Sequence, residues 1–142
     1  MELVIPDFAG KTILIARIDY GFYLWTADNW EIRLAGSVVV SAPGAQPVEI
    51  EVDLPDSPLP PELDLVGATI TQLLVAEDGH LGVQLVDRQL TARVADDYEA
   101  WHIAGHDGES LICMPGGELA YFPPVRRDGA PNSTTPVDGP RA

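Results

Sequence analysis

Apolar and polar positions along this chain alternate over short stretches and rarely follow the longer period of a helix. Residues 12–18 and 21–26 are rich in β-branched and aromatic side chains, a strand composition. Trp30, Glu31, Ile32, Arg33 and Leu34 alternate, the period of a half-buried strand. Gly36 breaks that run, and Val38-Val39-Val40 centres another. The cleanest alternation is at 48–54, with Val48, Ile50, Val52 and Leu54 on one face and Glu49, Glu51 and Asp53 on the other. Further strands are expected over 69–76, 81–86, 89–94, 100–104, 110–114 and 118–122. The breaks between them carry Asp, Asn, Gly and Pro, residues that favour turns. Leu63, Val66, Ile70, Leu73 and Leu74 have helical spacing, but Gly67, Thr69 and Thr71 oppose a helix. One short helical turn near 62–65 followed by a strand is the expectation. About ten short strands at hairpin spacing make the fold class all-β, an antiparallel barrel or two packed sheets.

The strands recur in an approximate repeat. Gly10-Lys11-Thr12-Ile13 opens one series and Gly67-Ala68-Thr69-Ile70 a second. Each opening leads into an apolar strand, a turn, a second strand, another turn and a third strand. Two β-meanders, at about 10–54 and 67–123, would then share one core. The stretch 55–61, with four prolines, is their expected connection, since proline suits neither a helix interior nor a central strand.

At 142 residues the chain is expected to form a single β-domain, residues 1–124, followed by a tail. The tail, 125–142, is Pro, Gly, Ser, Thr, Asn and charge, and is expected to be disordered. The sequon Asn132-Ser133-Thr134 falls there and reads as coincidence without a secretory signal. The opening residues have no basic segment and no long apolar run, and no window reaches a membrane span. Cytoplasmic location is the expectation. The single cysteine, Cys113, excludes an internal disulfide and sits in an apolar run as a small buried hydrophobe.

Charge narrows the partners. Eight basic side chains face 22 acidic ones, a net charge of −14, and Lys11 is the only lysine. Such a field repels nucleic-acid phosphates and anionic lipid, and draws in basic partners. Glu49, Glu51 and Asp53 form an acidic row, either a charged edge that discourages aggregation or a docking surface. Tyr98, Glu99 and Trp101 add aromatic anchors beside an acid, a composition that suits interfaces.

Candidate chemistry is thin. His102 and His106 would suit a metal on a helix, but here they flank a glycine turn. Asp96, Asp97 and Glu99 read as turn and capping groups, and no serine lies in a nucleophile elbow. Pro115-Gly116-Gly117 runs into a strand, unlike a phosphate loop. No catalytic residue, metal or cofactor is assigned.

Tyr98-Glu99-Ala100-Trp101, Asp107-Gly108 and Pro115-Gly116-Gly117 resemble a family of small all-β bacterial domains of unknown function, common in actinobacteria. Gly10, Asp19-Tyr20, Gly36 and Asp78-Gly79 also match its pattern, and Val86-Asp87-Arg88 departs from it. The resemblance covers most of residues 8–123 and implies a domain boundary without an activity.

Two functions of different class follow. The first is a non-enzymatic acidic domain that binds a protein partner, a basic one by charge, with an immunity or inhibitor role as a concrete form. Its contacts would be Glu49, Glu51, Asp53, Tyr98, Glu99 and Trp101. The second is a small-ligand binder or enzyme with a pocket between the two repeats near Trp101. Neither involves nucleic acid or membrane, and homo-oligomerisation stays open.

Overall fold

The structure, a computed structural model, describes residues 5–125, and the expected tail from 126 onward lies outside the described residues. Among the described residues eleven strands form two antiparallel sheets that do not close into a barrel. They are β1 (Ile13–Ile18), β2 (Phe22–Thr26), β3 (Glu31–Leu34), β4 (Ser37–Ser41), β5 (Val48–Glu51), β6 (Ile70–Val75), β7 (Leu81–Leu85), β8 (Gln89–Ala92), β9 (Trp101–Ala104), β10 (Ser110–Cys113) and β11 (Leu119–Phe122). One sheet has the order β1-β2-β3-β9-β10-β11 and the other β5-β4-β8-β7-β6. The expected helical turn is a single 3-10 turn, Pro61–Leu63, which buries Leu63. No helix among the described residues is long and apolar enough to cross a membrane.

Each meander stays within one sheet, and the hairpin that follows it joins the other. β1-β2-β3 lies in the first sheet and β4-β5 in the second; β6-β7-β8 lies in the second and β9-β10 in the first. The two openings meet reciprocally. Gly10 N–H donates to the Ile70 carbonyl (2.9 Å) and Gly67 N–H to the Ile13 carbonyl (2.8 Å). Ile13 N–H donates to Ala68 (2.9 Å), Ile70 N–H to Lys11 (2.8 Å), and Thr12 bridges Thr69. Both openings use a left-handed glycine, and both following strands shift register two residues after their isoleucine.

Alternation decides the core. Phe22, Leu24, Ile32, Leu34, Trp101, Ile103, Leu111 and Cys113 point inward from one sheet. Val38, Val40, Leu81, Val83, Leu85 and Leu90 face them from the other. Burying each such aliphatic side chain favours folding by roughly 1.5–3 kcal/mol. β5 departs from the expected pattern, because it is an edge strand at the rim of the sandwich. It ends at Glu51 rather than Leu54; Val48 and Leu54 are exposed, and Val52 alone of the expected apolar face is fully buried.

Candidate functional site

The chain crosses between sheets twice, at Ala35-Gly36 and in the segment leading to Ala100, and the two crossings are joined by Ala35 N–H donating to the Ala100 carbonyl (2.9 Å). A cleft of about 750 Å³ opens at this end of the sandwich. The first half supplies Tyr20, Arg33, Gly36, Ser37, Glu51 and Asp53 to its walls. The second half supplies Tyr98, Glu99, Met114 and Pro115.

Each wall has a local cause. Tyr20 sits in the β1–β2 turn at φ +53°, a left-handed backbone that costs a non-glycine residue roughly 1–2 kcal/mol. Hydrogen bonds hold it there: Tyr20 N–H donates to Leu54 (2.6 Å) and Gly21 N–H to Val52 (2.8 Å). Tyr20 as a whole residue is 59% exposed. Tyr98 lies over Gly36, where φ is +77° and a Cβ would collide with the phenol. Arg33 projects from the outward side of β3, between Tyr23 of β2 and His102 of β9. Its Nε–H donates to the Tyr23 hydroxyl (3.1 Å) and its Nη2 to the Tyr20 carbonyl (3.4 Å).

Glu51, Asp53, Tyr98 and Glu99, all expected to contact a partner, come together in this cleft. Glu49 lies beside it but outside. Ser37 Oγ–H donates to its carboxylate (2.7 Å) and Arg93 pairs with it (3.1 Å). Together, the Ser37 bond foremost, these hold Glu49 below the ordinary carboxylate range. Trp101 requires a correction, because it does not reach the surface. Alternation along β9 turns it inward with Ile103, it is fully buried, and its Nε1–H donates to the Gly79 carbonyl (2.8 Å). The cleft does lie between the two halves, but Trp101 does not line it.

Tyr20, Arg33, Ala35, Gly36, Ser37, Met114 and Pro115 also line the cleft and were not among the expected contacts. Outward alternation on β3 was the available signal for Arg33; the left-handed conformation of Tyr20 had none. The histidines are scattered: His102 meets Ser110 Oγ (3.3 Å), His106 meets Asp107 (3.0 Å), and His80 accepts from Val94 N–H (2.9 Å). No three metal-binding side chains cluster among the described residues. Burial pushes the Cys113 thiol up.

No curated protein and no solved structure matches the chain. A family model does, over residues 4–123, which span both sheets and every wall of the cleft. The chain therefore belongs to DUF6188, a family of unknown function.

Proposed function

We propose that this domain is a non-enzymatic binding module that takes a basic protein partner at the cleft between its two halves. The observation that carries the reading is the convergence of Glu51, Asp53, Tyr98 and Glu99, chosen for charge and aromatic character, on one concave surface. Concavity lets an inserted side chain lose water on several sides, and the net charge of −14 raises the encounter rate of a basic partner. An immunity or inhibitor role against a basic protein in the bacterial cytoplasm is the concrete form of this function. A volume of about 750 Å³ also falls within the usual range of small-molecule pockets, which keeps a small-ligand reading as the second.

The test places a photo-crosslinking phenylalanine analogue at Tyr98 and, as control, at Gln72 on β6, at the opposite edge of the second sheet from β5. A single protein captured in cells from position 98, absent from position 72 and lost at high salt, is the expected result. No protein product at position 98, together with a small molecule retained in native mass spectrometry, would overturn the partner reading in favour of the second.

A further inference from the structure

We infer that the cleft recognises a dipolar ligand, one that carries both a carboxylate and a basic group. A peptide ending in arginine or lysine and the free basic amino acid share this chemistry. The inference rests on the binding role of the cleft and names what enters it.

The reasoning begins with Arg33. Three carboxylates, Glu51, Asp53 and Glu99, line the same cleft, yet among the described residues Arg33 forms an ion pair with none of them. A guanidinium near free carboxylates ordinarily settles into a two-point pair with one of them. Here Tyr23 and the strained Tyr20 turn restrain it. Nε is occupied by the Tyr23 hydroxyl, Nη2 leans on the Tyr20 carbonyl, and the guanidinium carbon stands 5.8 Å from the Tyr23 ring centre. The remaining N–H groups are available to an incoming anion. The carboxylates of Asp53 and Glu99 have no hydrogen-bond partner among the described residues, and Glu51 accepts only from Asp53 N–H (3.1 Å).

Positive and negative groups therefore line one cavity without pairing with each other. A purely cationic ligand would face Arg33, and a purely anionic ligand would face three carboxylates. A ligand carrying both charges meets a complement for each. Tyr20, Tyr98, Met114 and Pro115 supply apolar surface for the methylene stem between them.

Calorimetry and amide chemical-shift mapping on the full chain test this with four probes: Nα-acetyl-arginine, its amide, Nα-acetyl-norleucine and free arginine. Nα-acetyl-arginine should shift the amides of Gly36, Glu51, Asp53 and Tyr98. Its amide and the norleucine compound should each bind about tenfold or more weakly, the loss expected for one charge-assisted contact. In Arg33→Gln the preference for the acid over the amide should vanish while the preference for arginine over norleucine persists. Arg33→Lys, which keeps the charge, should restore part of the first preference if loss of the Tyr23 contact unsettles the glutamine variant. Glu51→Gln with Asp53→Asn should do the reverse of Arg33→Gln. Tighter binding of the acetylated probe than of free arginine identifies a chain terminus as the source; the opposite order identifies the amino acid. Equal affinities for acid and amide in the parent protein would overturn the inference, as would no cleft shifts up to about 10 mM probe, beyond the weak millimolar range. Crosslinking from position 98 alongside flat titrations would retain the partner and reject the dipolar ligand.

Discussion

Gly79 and Gly117 approach so closely that neither has room for a side chain. A Cβ on Gly79 would lie 2.7 Å from the Gly117 carbonyl oxygen, and one on Gly117 would lie 2.5 Å from the carbonyl oxygen of Asp78. Both residues are at φ +101°, so shape and conformation select glycine together. The contact packs the β6–β7 turn against the turn between β10 and β11.

Gly116 is the control for that contact. It too is left-handed, at φ +89°, but a Cβ there would meet nothing within 4 Å. Gly116→Ala should cost about 1 kcal/mol, the conformational term alone. Gly117→Ala should cost roughly 2–4 kcal/mol, because backbone must also move. Urea denaturation midpoints check this, and equal costs at the two sites would show that the close approach is unimportant.

Gly36 and Tyr98 should be energetically coupled. Gly36→Ala places a methyl group where the Tyr98 phenol lies and adds left-handed strain. The single variant should lose about 1–3 kcal/mol. In the background Tyr98→Ala the same change should cost less, leaving only the strain. A double-mutant cycle reads the difference, and strict additivity would mean that the phenol moves aside freely.

Trp101 and Cys113 both direct polar atoms at one acceptor, the Gly79 carbonyl, at 2.8 and 3.7 Å. Trp101→Phe should destabilise by about 1–3 kcal/mol, the scale for leaving a buried acceptor poorly satisfied. Cys113 is fully buried, and burial raises its thiol above the ordinary value. A disulfide reagent at neutral pH should therefore label the native protein far more slowly than the urea-unfolded chain. Comparable rates would place the thiol at the surface.

Asp28 should contribute an acid-sensitive part of the stability. Its carboxyl is held below the ordinary value first by the hydrogen bond from Lys11 and next by that from Thr26. A depressed carboxyl stabilises the fold above its ordinary value near 3.8, and the stabilisation fades as pH falls through the lower folded value. Because the Asp28 side chain is 51% exposed, solvent screening limits the effect to below about 1 kcal/mol. Denaturation of the parent and Asp28→Asn between about pH 2 and 7 should show a shallower acid slope in the variant. Identical slopes would remove Asp28 from the acid response.

The all-β class was legible because alternation reports burial directly: inward Ile32 and Leu34, or Trp101 and Ile103, sit every second residue. The same alternation serves a closed barrel and two packed sheets equally, so the choice between them was not legible. The same rule placed Glu49 and Glu51 outward. It could not reveal that β5 lies at an edge, because Val48 and Leu54 look apolar whether or not another layer covers them. Trp101 misled for a related reason. Its neighbours Tyr98 and Glu99 are exposed, and composition alone does not mark where the strand begins and turns the indole inward. The cleft was legible only in pieces, since Tyr20, Arg33, Asp53 and Tyr98 meet through two crossings between sheets that local patterns do not encode.

The exchange of hairpins between the halves makes each half a template for the other. Neither half contains a finished sheet: β3 finds its outer neighbour in β9, and β8 finds its own in β4. Severing the chain in the proline-rich stretch 55–61 would give two fragments whose meanders each expose an unpaired strand until they meet. Mixed together, such fragments should reassemble by complementation, whereas each alone would aggregate or stay unfolded. Because the bonds from Gly10 and Gly67 are reciprocal, a chain carrying a single half has the pairing logic to build the same sandwich as a two-fold dimer.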